Sequence, residues 1–216
     1  SRFGLSIVTD QLAMYLDAAN PASYTANGTT WTDLSGNNNH ITLAGGYAYN
    51  QFGAITFNGT SGWGYNNGDI LSKTSYTKQV WIKFNSFSFS NNIVSGKTGE
   101  HAFWLSSSNP GNLQAGHNYV WNRIIDNTAL STGVWYNVAV TFNNSTGWVL
   151  YINGQQKITS SDVTTFIGTG DIQLASFKGA ANFLSGDIAH ALVYNRSLTA
   201  SEILENFNNL KSRFGL

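Results

Sequence analysis

The most constraining feature of this 216-residue chain is a series of short segments in which apolar and polar side chains alternate. Alternation with a period of two places one set of side chains on each face of a strand, so it predicts β-structure rather than a helix. Such segments recur along nearly the whole chain between Gly-, Asn- and Ser-rich turns, as in "AITFNG", "SYTKQVWIKFN", "HAFWLSS" and "GDIAHALVYN". No linker or charge run interrupts them. The pattern predicts one all-β domain built as a sandwich.

Two hairpins follow from the stretch "WYNVAVTFNNSTGWVLYINGQQ". The turn "NNSTG" joins two alternating strands, which carry Trp135, Val138, Val140 and Phe142, and then Trp148, Leu150 and Ile152. Asn153 and Gly154 make the next turn, because both residues accept positive φ. In "SYTKQVWIKFN" the alternation places four side chains near one face: Tyr76, Val80, Ile82 and Phe84.

One segment, "SLTASEILENFNNLK", has helical rather than strand periodicity. Its apolar residues recur at helical spacing: Leu198, Ile203, Leu204, Phe207 and Leu210. Thr199 and Glu202 have the spacing of a capping box, which satisfies the first amides of a helix. The chain is therefore expected to end with a short amphipathic helix docked on the sandwich.

Composition narrows the classes of partner. Charged residues are 10% of the chain, well below the roughly 25% of an ordinary soluble domain, and neutral polar residues replace them, as in extracellular β proteins and virion appendages. Lys plus Arg and Asp plus Glu are equal at 11 each, so no long-range field attracts nucleic acid. No apolar run is long enough to insert in a membrane, and the first residues lack the pattern of a signal peptide. The absence of Cys removes disulfides and thiolate chemistry.

Several blocks resemble laminin G-like, concanavalin A-like lectin/glucanase domains. The hairpin "VWYNVAVTFNNSTGWVLYINGQ" is similar to the central hairpin of that superfamily, and "FLSGDIAHALVYNRSLTASEI" to its final block; "LAMYLDAANPASY" resembles the opening block of the bacterial and phage branch. The resemblance implies a two-sheet antiparallel jelly-roll sandwich with one short C-terminal α-helix. Residues 1–216 form a single domain in this interpretation, with a core at 7–210 and junction or linker segments at 1–6 and 211–216.

Catalysis is not expected from the residues present. A glycosidase needs two carboxylates beside the scissile bond, and the E-x-D-x-E run of jelly-roll glucanases is missing. The close acidic pair Glu202 and Glu205 is explained by a helix cap and a solvated helix face. The four His residues are scattered, and no G-x-S-x-G motif occurs. We therefore predict that the protein is not an enzyme.

Calcium is the one cofactor that the resemblance suggests, because many laminin G-like domains hold Ca²⁺ at the rim of the sandwich. Glu100 lies where the family often has an acidic ligand at the start of a strand. Asp69 and Asp126 would add carboxylates if their loops converge, since Ca²⁺ takes several oxygen ligands. Against this interpretation, no EF-hand spacing is present and the rim loops are rich in neutral Asn.

Sugar recognition requires exposed aromatic faces together with amide side chains. Trp63 and Tyr65 in "SGWGYNNGD", and Tyr119 and Trp121 in "GHNYVWNR", meet that description. The alternative is that alternating aromatic residues of a sandwich face the core, and this alternative is stronger for Trp121 than for Trp63 and Tyr65. These four residues are the predicted carbohydrate-binding residues.

The pentapeptide SRFGL stands at both ends of the chain, at residues 1–5 and 212–216. We interpret it as a junction, either between units of a tandem array or between neighbouring copies in an assembly. Phe3, Phe214 and Leu216 would then be assembly anchors, with Phe214 and Leu216 also able to pack back on the domain. An accident of how the sequence is delimited is the alternative.

These observations favour a non-catalytic module of a phage particle or bacterial surface. It would act as a structural, decoration or attachment protein in contact with surface glycans, with itself, or with neighbouring virion or surface proteins through its termini. Its expected location is the virion surface, the cell surface or the extracellular space. The alternative is a carbohydrate-binding lectin module of a larger secreted enzyme, and a glycosidase is a remote third hypothesis.

Overall fold

Two antiparallel sheets form the framework of the protein in the computed structural model, which describes residues 7–87, 89–107 and 111–216. The strands of these ranges are β1 (Leu12–Asp17), β2 (Thr30–Trp31), β3 (Ile41–Ala44), β4 (Tyr47–Asn50), β5 (Ala54–Asn58), β6 (Trp63–Asn66), β7 (Ser75–Phe84), β8 (Asn91–Ser95), β9 (His101–Ser106), β10 (Asn112–His117), β11 (Val120–Ile125), β12 (Trp135–Asn143), β13 (Gly147–Ile152), β14 (Gln155–Ser160), β15 (Ile172–Leu174) and β16 (Ser185–Tyr194).

Sheet A has the strand order β14-β13-β12-β7-β16-β5-β4, and β1 also pairs with β16. Sheet B has the order β11-β10-β9-β8-β15-β6-β3-β2. Strands distant in sequence, such as β7 and β16, pair at the centre of sheet A, so the chain crosses repeatedly between the sheets. The predicted two-sheet antiparallel sandwich is confirmed, and the topology is consistent with a jelly roll.

The core lies between the two sheets and is one continuous apolar cluster. The alternation of β7 is confirmed, because Tyr76, Val80, Ile82 and Phe84 all belong to this cluster. Lys78 occupies the same face and is fully buried. Since both sheets share one core, the described residues behave as a single structural unit.

The predicted hairpins are present. Phe142 of β12 lies opposite Trp148 of β13, and Asn153 and Gly154 have φ of 53° and 73° at the next turn. Trp135 departs from the prediction, because it packs with Phe214 outside the core. Residue 135 differs in parity from residues 138, 140 and 142, so it points to the opposite face of the strand.

Several strands were not predicted. These strands are β2, β3, β4, β6 and β10. The sequence of β10, "NLQAGH", contains no β-branched or aromatic residue. Hydrogen-bonded pairing with β9 and β11 stabilises this strand, although its residues have weak strand propensity.

The C-terminal helix is confirmed as α1 (Ala200–Leu210), and it packs on the outer face of sheet A. The capping box is present, because the Glu202 amide donates to the Thr199 hydroxyl while the Thr199 amide donates to the Glu202 carboxylate at 2.8 Å. Ile203 and Phe207 are the buried apolar residues of the helix, and the Phe207 ring stacks on Trp81 with centroids 5.5 Å apart. None of the described helices is long and apolar enough to cross a membrane.

Residues of the predicted junction or linker segment 211–216 contact the rest of the domain. Lys211–Phe214 is a 3-10 helix, closed by Gly215 at φ 75°. Arg213 donates to Asp17 at 2.8 Å and to the Gly53 carbonyl at 2.7 Å, and Phe214 packs on sheet A. Leu216 is 47% exposed. Phe3 lies outside the described residues.

Candidate functional site

The outer face of sheet B carries a row of polar and aromatic side chains. Phe103 and Leu105 of β9 point into the core, so Ala102 and Trp104 point outward. Pairing across the strands places Tyr65 beside Gln173, Gln173 beside Ser95, and Ser95 beside Ala102. The row therefore crosses four strands, from β6 to β9.

A short hairpin lies flat on this row, and we call residues 176–182 the flap. The chain reverses after β15 at Ala175, which has φ 63°. The Ser176 carbonyl accepts hydrogen bonds from the side-chain amide of Asn92 and from the Ser95 hydroxyl, which fixes the base of the flap. Its tip reaches Trp63, since a Cβ added at Gly179 would come 3.0 Å from that ring.

The turn between β10 and β11 curls over the other side of the same face. A Cβ at Gly116 would come 2.0 Å from the Val120 carbonyl, so only glycine permits this close approach. The Trp121 indole donates to the Gly99 carbonyl at 2.8 Å, and the Trp104 indole donates to the Trp121 carbonyl at 3.0 Å. Both rings are thereby fixed in orientation.

A cleft of about 110 Å³ lies between the flap and this turn. Its lining residues are Asn92, Ala102, Trp104, Trp121, Phe177 and Asn182. Trp121 is 38% exposed and meets Phe177 edge to face, with centroids 5.5 Å apart. Since the lining consists of aromatic, amide and methyl groups, it offers ring faces and neutral hydrogen-bonding groups to a ligand.

The four residues predicted to bind carbohydrate divide across the flap. Trp121 lines the cleft, and Tyr119, two residues before it in the chain, is 57% exposed. Trp63 and Tyr65 stack on each other, with centroids 4.7 Å apart, on the far side of the flap. The stack is half-buried and faces outward, because a Cβ at Gly64 between the two residues would meet Ile41 in the core.

Trp104 and Phe177 were not predicted as site residues. A signal for Trp104 was present in "HAFWLSS", because alternation that buries Phe103 and Leu105 turns Trp104 outward. The sequence carries no comparable signal for Phe177, since the path of the flap depends on contacts with β8 and with Trp121.

The three carboxylates predicted as calcium ligands do not converge. Asp69 accepts from the Gly170 amide at 2.7 Å, and Glu100 accepts from the neighbouring Thr169 amide at 2.6 Å. Glu100 lies beside Asn118, just after the end of β10. Asp126 lies at the start of that strand, where its backbone amide donates to the Leu113 carbonyl. In the described ranges no three His, Cys, Asp or Glu side chains are grouped to hold a metal ion.

Local partners already occupy the two neighbouring carboxylates. A hydrogen bond from Lys73, 2.6 Å away, lowers the pKa of Asp69. A hydrogen bond from the Thr98 side chain lowers the pKa of Glu100. Lys73 supplies the positive charge that a cation would bring to Asp69, and the calcium site stays a prediction.

The buried histidines hold the segment before β15 against the core. His101 and His117 each direct Nε2 at a backbone carbonyl, that of Asp171 at 2.8 Å and that of Thr164 at 2.7 Å. A carbonyl only accepts, so Nε2 carries the proton and Nδ1 is left to accept from Lys78 and Tyr76. Burial lowers the pKa of Lys78 and of His101. These groups have a structural role in the core.

Comparisons with known proteins agree with the two-sheet fold. A family model described as the concanavalin A-like lectin/glucanases superfamily matches residues 44–204. No curated protein matches the chain in sequence.

Among solved structures, domain 4 of AbnA, an extracellular GH43 arabinanase of Geobacillus stearothermophilus in complex with arabinotriose, is 19% identical with a TM-score of 0.71; the match covers 91% of this chain and 98% of that one. The Trypanosoma rangeli sialidase with 2,3-difluorosialic acid is 14% identical with a TM-score of 0.74, and the match covers 96% of this chain and 34% of the sialidase. The binding domain of botulinum neurotoxin DC with rat synaptotagmin II is 16% identical with a TM-score of 0.70, and the match covers 94% of this chain and 52% of the toxin domain. This chain thus spans about a third of the sialidase and about half of the toxin domain, and at these identities the likeness shows the fold.

Proposed function

Since the chain belongs to the concanavalin A-like lectin/glucanase superfamily, we propose that it is a non-catalytic carbohydrate-binding module that attaches a phage particle or bacterial surface to glycans. The observation that carries the proposal is the cleft on sheet B, where Trp104, Trp121 and Phe177 converge with two Asn side chains. Aromatic faces pack on the CH groups of a sugar ring while amides bind its hydroxyl groups.

The chemistry of the cleft favours binding over hydrolysis. Hydrolysis of a glycosidic bond requires two suitably placed carboxyl groups, and none of the six lining residues is acidic. Glu100 follows Gly99, whose carbonyl accepts from Trp121, and its own carboxylate oxygens are engaged by the Thr169 amide and the Tyr119 hydroxyl. The uncharged lining also favours a neutral glycan over an acidic one.

A lectin module of a larger secreted enzyme is the second candidate. It is favoured by one specific observation, the match to 98% of an arabinanase domain that was solved with arabinotriose. The two candidates predict the same cleft chemistry but different gene contexts. Neighbouring tail or capsid genes would support the phage or bacterial surface module. A hydrolase domain in the same polypeptide would support the lectin module of a secreted enzyme.

Substitution of Trp121 tests the proposal. We expect Trp121→Ala to weaken binding of neutral oligosaccharides by roughly tenfold or more, because it removes a wall of the cleft. A glycan array followed by calorimetry measures this loss, and a thermal melt of the variant checks folding. Phe52→Ala is the matched control, since Phe52 is an aromatic residue 65% exposed away from the cleft. Equal loss in both variants, or no binding by the parent chain, would reject the proposal.

A further inference from the structure

Gln173 lies under the flap with an unusual lack of partners. Its side chain is 1% exposed, and neither its amide nitrogen nor its amide oxygen has a hydrogen-bond partner among the described residues. The hydroxyl of Ser176, at the base of the flap, is buried without a partner as well. Buried polar groups are almost always paired, so unpaired atoms on Gln173 and on Ser176, three residues later, indicate that another occupant satisfies them.

The flap that covers these atoms is conformationally strained. Ala175, just before the flap, and Lys178 and Asn182 within it have left-handed backbones, with φ of 63°, 61° and 49°. For residues other than glycine this conformation is uncommon and is retained mainly where it serves a site. The backbone bonds between Phe177 and Ala181 close the flap on itself, so it forms one short hairpin.

The row of outward-facing side chains under the flap connects the cleft with the Trp63–Tyr65 stack. On one side the cleft exposes Trp121, and on the other side Trp63 and Tyr65 form their stack. Gln173 lies between them, next to Tyr65 on one strand and Ser95 on the other. All of these side chains face outward from sheet B, and Gln173 and Ser95 are uncharged.

We propose that the flap is a movable cover over a second sugar subsite, whose floor is Gln173 and whose wall is the Trp63–Tyr65 stack. The ligand is then a linear neutral oligosaccharide that runs across the strands from the cleft to Trp63. A primary amide both donates and accepts, which matches two adjacent hydroxyl groups of a sugar. This inference rests on the proposed function, because the first sugar unit occupies the cleft on its Trp104 and Trp121 side, which stays in place when Phe177 and Asn182 lift with the flap.

The length dependence of binding tests the proposal. Arabino-, xylo- and cello-oligosaccharides from disaccharide to hexasaccharide are titrated into the full chain and into Gln173→Met, which keeps the side-chain length and removes the amide. In the parent chain we expect affinity to rise by roughly tenfold with length. In Gln173→Met this rise should disappear, while disaccharide affinity and the melting temperature are retained. Gln156→Met, on the exposed strand β14, is the matched control.

Hydrogen exchange provides an independent measurement. The backbone N–H of Asn92 donates to the Asn182 carbonyl at 3.0 Å, and lifting the flap breaks this bond. Its exchange should therefore become faster when hexasaccharide is added and remain unchanged with disaccharide.

The outcomes separate the two proposals. Binding that does not depend on length, or equal length dependence in Gln173→Met, would overturn the second subsite and leave the cleft in place, with a buried water as the partner of Gln173. Slower exchange at Asn92 with hexasaccharide would also overturn the movable flap. Absence of binding to every oligosaccharide and every array glycan would overturn the proposed function and the subsite together.

Discussion

Phe214 stacks on Trp81 with ring centroids 4.1 Å apart and ring planes 14° apart. It also contacts Trp135, with centroids 4.9 Å apart. The second copy of SRFGL therefore contributes an aromatic side chain to its own domain, on the outer face of sheet A.

We expect Phe214→Ala to lower the free energy of unfolding by about 2 kcal/mol, because it removes a half-buried ring and its stacking contacts. A urea melt measures the loss, and Leu216→Ala, at a residue 47% exposed, is the control. A Phe214→Ala chain with unchanged stability that no longer self-associates would instead support the assembly role predicted for Phe214.

The docking of α1 is tested at Phe207, which is 9% exposed and packs on Trp81. Phe207→Ala should cost about 3–5 kcal/mol, the usual range for a buried ring in a core that relaxes only partly. Glu205→Ala, on the exposed side of the same helix, should leave the melting temperature nearly unchanged. Similar melting of both variants would contradict the docking.

Stability should fall as pH drops below about 6.5, because His101, His117 and His190 are buried as neutral groups. Burial lowers the pKa of His117 and of His190 to about 4 each. A folded-state pKa below the unfolded value of about 6.5 means that the unfolded chain binds more protons in this window, so stability is full above pH 6.5 and is lost towards pH 4.

His190→Phe isolates one contribution to that pH dependence. His190 faces Tyr15, with ring centroids 5.2 Å apart, and its pKa is also raised by Asp17 and lowered by Arg213. Removing it should reduce the slope of stability against pH by up to about 1.4 kcal/mol per unit between pH 4 and 6.5. An unchanged slope would show that His190 does not titrate on unfolding.

Calcium stays a prediction, and any effect of it should depend on Glu100. If the ion binds, millimolar calcium at 100 times the dissociation constant would stabilise the fold by about 2.7 kcal/mol relative to EDTA. Glu100→Gln should abolish that difference, whereas Asp126→Asn, at the other end of β10, should not. Identical melting of the parent chain in calcium and in EDTA would remove the site.

The sequence by itself determined the fold class, most of the longer strands and the final helix. Each depends on contacts that are local or periodic along the chain: alternation in β7 and β12, the Asn153–Gly154 turn, and the Thr199–Glu202 cap. The prediction failed at β10, where pairing with β9 and β11 compensates for weak strand propensity.

The candidate site could be predicted only in part. Trp121, Trp63 and Tyr65 were recognised as aromatic residues in turn-like surroundings, but their places on one face of sheet B, separated by the flap, follow from contacts between residues far apart in sequence. Ser95 donates to Ser176, and Phe177 meets Trp121. Likewise, tertiary packing gave Phe214 a place between Trp81 and Trp135. Alternation specifies which way a side chain points from its strand, whereas only the folded chain specifies what lies over it.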